Sequence, residues 1–131
     1  MTIGEKVAAE ALALVGTPFR LHGRDPRTGL DCVGLAMTAF ARAGLKSAEP
    51  PSYQLRGTSH ARVATALGRA GLRPTEEIAL GDLVVTESGP MQLHLMIRAA
   101  AGHVHAHAGL GRVVFMPGPA IWPVLAIWRG E

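Results

Sequence analysis

The sequence predicts an α+β fold, with N-terminal helices packed on one face of a C-terminal antiparallel sheet of about five strands. Three observations carry that reading. Up to about residue 70, apolar residues recur three and four positions apart, the spacing of one helix face. Beyond Pro74 the pattern changes to short β-branched runs. Those runs are joined by brief Gly-containing turns, which suit antiparallel neighbours. A chain of 131 residues can bury a core without disulfides, and it reads as one domain over residues 1–131.

The elements follow in order. Thr2 and Glu5 fit a capping box, and Ile3, Val7, Ala8, Ala11, Leu12 and Val15 form a helical stripe that Gly16 and Pro18 end. Residues 16–30, rich in Gly, Pro and Arg, read as a loop. Asp31 caps a second helix over about 32–43, with Leu35, Ala36, Ala39 and Phe40 facing the core and Gly44 ending it. Pro50-Pro51 makes 46–58 irregular. Ser59 caps a third helix whose apolar face is Val63, Ala64, Leu67 and Ala70, closed by Gly71. Leu83–Thr86, Leu93–Ile97, Val104–His107, Arg112–Met116 and Val124–Trp128 read as strands.

Charge and hydropathy narrow the function classes. The net charge is only +3 and no basic stripe interleaves with aromatics, so nucleic acid is not an expected partner. No apolar run approaches the roughly 20 residues of a membrane span, so no membrane partner is expected. Arg20, Arg24 and Arg27 form one local basic cluster, readable as a solvated loop or as an attraction for an anionic substrate.

Cys32 is the only cysteine and stands at the start of the second helix. Free N–H groups and the positive end of the helix dipole favour a thiolate there, the route to a nucleophile. The competing reading is a small buried apolar residue. A thiolate nucleophile needs a base, usually His, and the base needs a third group to fix its tautomer. His94 lies in a strand among apolar neighbours, where a structural role competes with that of a base. His103, His105 and His107 alternate with Val104 and Ala106, so their rings share one strand face. One of them orients His94, or a pair ligates a metal such as zinc, or the face is polar and idle.

These residues also carry a resemblance. Gly16-Thr17-Pro18-Phe19-Arg20, Asp31-Cys32-Val33-Gly34-Leu35, Gly81-Asp82-Leu83-Val84, His94-Leu95-Met96-Ile97 and Val104-His105-Ala106 resemble, in the same order, the motifs of the NlpC/P60 cysteine peptidases. The likeness runs from about Val7 to Trp128. It implies a papain-like fold and a cysteine endopeptidase that hydrolyses bacterial peptidoglycan, with Cys32 as nucleophile, His94 as base and His105 as the third residue. A register slip would promote His103 or His107 instead. Asp31 resembles a helix cap beside the nucleophile. Phe19 stands where many relatives have Tyr, and Val33 where Ser is common after the nucleophile. Arg20, Arg24 or Arg27 would contact stem-peptide carboxylates, and Tyr53 would line the groove or serve as a packing residue. The implied substrate is a stem-peptide bond such as γ-D-glutamyl–diaminopimelate, and no cofactor or metal is implied. The absence of a secretory signal at Met1–Lys6 resembles the phage-tail and gene-transfer-agent branch: a protein made in the bacterial cytoplasm, incorporated with phage-like tail proteins and delivered to the cell wall. The rival readings are a catalytically weak tail or binding module on the same fold and a His-ligated zinc protein.

Overall fold

The computed structural model describes residues 1–45, 57 and 59–130. Among them, helix α1 (Ile3–Ala13) is followed by a small hairpin, β1 (Arg24–Asp25) and β2 (Gly29–Leu30), and by α2 (Cys32–Arg42) and α3 (His60–Arg69). Strands β3 (Arg73–Thr75), β4 (Leu83–Gly89), β5 (Gln92–Ala99), β6 (Gly102–His107), β7 (Arg112–Pro117) and β8 (Val124–Arg129) form one sheet. Its order is β3-β8-β4-β5-β6-β7 and every pairing is antiparallel. The α+β class and the helix-then-sheet order are those the sequence predicts. Among the described residues, no helix is long and apolar enough to cross a membrane.

Each helix starts where its cap residue predicts. Thr2 Oγ1 accepts from the Glu5 N–H at 3.0 Å, and the Glu5 carboxylate accepts from the Thr2 N–H at 3.2 Å, a complete capping box. Asp31 accepts from the Gly34 N–H at 2.8 Å, and Ser59 from the Arg62 N–H at 3.3 Å. Strand alternation sends Leu93, Leu95, Ile97 and Ala99 of β5, and Val104 and Ala106 of β6, into one core with Val7, Ala11, Leu35, Ala39 and Phe40.

Two features differ from the sequence expectation. The sheet has six strands, because Arg73-Pro74-Thr75 pairs with β8. Pro74 lacks an N–H, which an edge strand tolerates. The 16–30 segment is also less irregular than its composition implies. It carries the β1–β2 hairpin and two bridges, Pro18 with Arg112 and Phe19 with Leu30. The Phe19 N–H donates to the Gly111 carbonyl at 2.8 Å, fastening the segment to the sheet end.

The Gly81-Asp82 turn locks the scaffold. Gly81 has φ +84° and lies against the backbone of Gly4, where a Cβ would collide. Asp82 is fully buried, and its carboxylate takes both Arg129 Nε and Nη2, at 2.8 and 2.9 Å, and the Ala79 N–H at 2.8 Å. The start of β4 is thereby tied to the end of β8.

The β5–β6 ladder decides where a site can form. Its pairs are Ile97–Val104, Arg98–His103 and Ala99–Gly102 only. Strand β4 stays paired with β5 from Leu83 to Gly89, and β7 with all of β6. The two central strands therefore part toward His94 and His105. Helix α2 packs on both.

Candidate active site

A cavity of about 590 Å³ opens where β5 and β6 part. Cys32 from the first turn of α2, His94 from β5, and His105 and His107 from β6 all line it. Phe19, His22 and Asp31 contribute from the segment before α2, and Trp122 from the β7–β8 connection. Residues far apart in the chain thus line one cavity at the end of a short ladder.

His94 Nε2 and His105 Nδ1 are 2.9 Å apart, with the rings edge-on at 87°. One proton serves that contact, so one imidazole donates and the other accepts. The three alternating histidines do share a face, but their surroundings differ. His105 is 2% exposed and meets His94. His107 lies beside it, ring centroids 5.5 Å apart, its Nδ1 accepting from the Leu110 N–H at 3.0 Å. His103 pairs with Arg98 and Met116, and neither ring nitrogen has a hydrogen-bond partner among the described residues.

The electrostatics correct one expectation. A helix N-terminus favours a thiolate, and here the main-chain N–H groups of Leu95 and Val33 also face the sulfur. Burial outweighs them: it pushes the Cys32 thiol up to about 12, with the Asp31 charge adding to the rise. Burial also lowers His94 to about 3, helped by the charges of His105 and His107. His105 falls to about 4, again mainly through burial, then through His107 and His103. At neutral pH each group by itself is uncharged, so the resting site holds a thiol and two neutral imidazoles.

Asp31 braces the entry to α2. Besides the Gly34 N–H, its carboxylate takes the His22 N–H at 3.1 Å and Arg24 Nη1 at 2.6 Å. Arg24 is therefore engaged with Asp31 while its side chain stays 29% exposed. Arg27 pairs with Asp25 at 2.9 Å on the surface. Arg20 is exposed and is not part of the cavity lining. Phe19 lines the cavity and Tyr53 lies outside the described residues. Among the described residues no three His, Cys, Asp or Glu side chains converge as metal ligands, which leaves the zinc reading without a ligand set there.

His22 and Trp122 are among the cavity residues that the sequence reading missed. His22 sits at φ +60°, a left-handed conformation uncommon outside glycine. Trp122 places its ring centroid 5.2 Å from that of His94 and 5.8 Å from that of His105, both edge-on. Its one available signal was a large aromatic set between Pro119 and Pro123 in a chain with few aromatics.

Comparison with known proteins agrees with this architecture. The model of the NlpC/P60 family matches residues 16–116, which span the segment before α2, Cys32, His94 and His105. The bifunctional muramidase/DL-endopeptidase CwlT of Bacillus subtilis (strain 168) is 44% identical over 45 residues, covering 34% of this chain and 14% of CwlT. Among solved structures, NlpC1 from Trichomonas vaginalis superposes with a TM-score of 0.65 at 20% identity, covering 96% of this chain and 44% of that one. The peptidoglycan hydrolase RipB from Mycobacterium tuberculosis gives 0.62 at 21% identity, covering 97% of this chain and 64% of RipB. The NlpC/p60 domain of the peptidoglycan hydrolase SagA gives 0.59 at 21% identity, covering 87% and 88%. At these identities the structural likeness speaks for the fold.

Proposed function

The chain belongs to the NlpC/P60 family, and from that premise we propose that it is a cysteine peptidase hydrolysing an amide bond in bacterial peptidoglycan stem peptides. The observation that carries the proposal is the His94–His105 hydrogen bond on the wall of a cavity that Cys32 also lines. The bond proposed is of the γ-D-glutamyl–diaminopimelate type. It is supported by the local similarity to CwlT, a protein named as a DL-endopeptidase.

The chemistry starts from neutral partners. His94 Nε2 is engaged with His105, so Nδ1 is the nitrogen left to take the Cys32 proton. Nδ1 accepts only if it carries no hydrogen, which puts the shared proton of the histidine pair on His94 Nε2. His105 Nδ1 then accepts it and holds that tautomer. As substrate enters, the proton passes from Sγ to Nδ1 and the sulfur attacks the carbonyl carbon. The Gly34 and Leu35 N–H groups are used by Asp31, so those of Cys32 and Val33 are the ones at hand for the oxyanion. Such donors are worth about 3 kcal/mol each. The His94 imidazolium protonates the departing amine, and water, deprotonated by His94, cleaves the thioester.

Purified muropeptides should be cleaved by the wild type and not by Cys32→Ala. Equal cleavage by both would overturn the nucleophile assignment. We extend the proposal to phage-like tail particles as the place of action. Detecting the chain in purified particles tests it. A second reading, a binding module with decayed catalysis, is favoured by Phe19 at the usual Tyr position and by the protonated thiol. It predicts slow alkylation of Cys32 by iodoacetamide at neutral pH, unchanged by His94→Ala. Alkylation that slows at least tenfold in His94→Ala counts against it.

A further inference from the structure

The connection from β7 to β8 is pinned at both ends. At one end Gly118, with φ +86°, donates its N–H to the Ala101 carbonyl at 2.8 Å. At the other the Pro123 carbonyl accepts from the Glu87 N–H at 3.0 Å. Pro119 and Pro123 remove much of the remaining backbone freedom. A six-residue strap held in this way delivers its aromatic ring to one place. That place is the histidine pair: Trp122 meets His94 at 75° and His105 at 87°.

A hydrogen bond between two neutral imidazoles is weak wherever water competes for the same atoms, and it strengthens when water is kept out. An edge-on aromatic contact also restrains ring rotation. We propose that Trp122 is a positioning residue of the reaction centre, sealing the His94–His105 hydrogen bond from water and holding both rings in the orientation that leaves His94 Nδ1 bare for the Cys32 proton. This rests on the peptidase reading for its catalytic consequence, but not for its physical one. The other titratable or charged groups around the pair are His107 and His103 on β6, Arg112 opposite His107 on β7, Arg98 opposite His103 on β5, His22 and the β1 residue Arg24 before α2, and Asp31 with Cys32 where α2 starts. Phe19 also lines the cavity, but among the described residues the indole of Trp122 is the apolar ring in contact with both imidazoles.

The sign of the effect follows. Without the indole, water reaches the pair, the penalty on the charged imidazole shrinks, and both rings protonate at higher pH. A protonated His94 cannot accept from sulfur, so the acid limb of activity moves up.

The test compares Trp122→Ala and Trp122→Phe with the wild type in the full chain, using two readouts. One is kcat and KM on purified muropeptides. The other is the pH titration of the His94 and His105 ring carbons by NMR, which needs no substrate. Trp122→Ala should lower kcat about ten- to a hundredfold while KM moves less than about threefold, and both rings should titrate closer to the ordinary histidine value. Trp122→Phe should recover most of both effects. Unmoved titrations, or a loss confined to KM, would overturn the inference and make Trp122 a cavity wall only. If Trp122→Ala does not fold, Trp122→Leu, which keeps bulk without an aromatic edge, must show the same two shifts. A wild type without muropeptide activity sinks the peptidase reading, and the titrations still decide the role of Trp122.

Discussion

His103 and His105 are two residues apart on one strand, share one face and are each 2% exposed. Among the described residues, only His105 has a hydrogen-bonded side-chain neighbour. His105 lies beyond the last β5–β6 pair, where the strands have parted and His94 can reach across at 2.9 Å. His103 lies inside the ladder opposite Arg98, with both ring nitrogens unpartnered among the described residues. Equal burial and identical residue type thus give opposite chemistry, and the variable is where the ladder stops. The closed end holds the sheet together. The open end frees side chains to meet.

The sharpest way to break this contrast is to remove each ring in turn. His105→Ala should lower kcat/KM on muropeptides by about 10²–10⁴-fold, because His94 loses the acceptor that holds its tautomer. His103→Leu should stay within about twofold of the wild type, since His103 touches neither reacting group. Equal losses at the two positions would mean that burial, and not the open ladder, defines the site.

The closed end is probed through Asp82. Its carboxylate takes both Arg129 nitrogens, and its carbonyl takes the Arg98 N–H at 2.9 Å. Asp82→Ala removes the fully buried carboxylate that holds Arg129 Nε and Nη2 and the Ala79 N–H, which costs about 2–3 kcal/mol because Arg129 is partly exposed and keeps the Glu77 carbonyl. Denaturant unfolding should show that loss in full, while the fraction that remains folded keeps its turnover per molecule. A fall in turnover per folded molecule would show that the closed end shapes the site directly.

Much of this was legible in the chain and some was not, for physical reasons. The caps Thr2, Asp31 and Ser59 were readable because each satisfies helix N–H groups within three residues, a local matter. Strand parity placed the three histidines on one face, because alternation is local too. Which of them meets His94 was open, since that depends on how far a ladder between two strands extends. The β3 edge strand was missed because Arg73-Pro74-Thr75 has neither alternation nor β-branched enrichment, and pairing with β8 supplies what the residues lack. The thiolate expectation failed on magnitude: the helix terminus acts as anticipated, but desolvation of the sulfur is larger. Trp122 was invisible because its contacts come from the strap between β7 and β8, which has no period to read.

Acid sharpens the comparison next. His94 and His105 titrate at about 3 and about 4 when folded, against an ordinary 6.5. The unfolded chain binds protons first, so the stability tied to these rings is complete above pH 6.5 and is lost as pH falls toward 3. Cys32 behaves in the opposite sense. Its folded value near 12 exceeds the ordinary 9.0, so its share is complete below pH 9.0 and is lost as pH rises. Stability should therefore peak between about pH 6.5 and 9, measured as the denaturant midpoint against pH. His105→Asn should flatten the acid limb and Cys32→Ala the alkaline one.

The smallest effect is the most direct statement about the closed end. His103 is buried against Met116 and the Gly118 turn, with a weak main-chain contact at Gly118 that only partly offsets the burial lowering its titration. A buried polar ring without full hydrogen bonding costs about 1–3 kcal/mol relative to one that is satisfied. An apolar side chain of similar volume carries no such cost. His103→Leu should therefore raise stability by about 1 kcal/mol at neutral pH, and by more in acid, where the histidine would have to charge. Paired denaturant titrations at pH 7 and pH 5 read both. A variant less stable than the wild type at both pH values would mean that the His103 ring has a partner the contrast with His105 denies it.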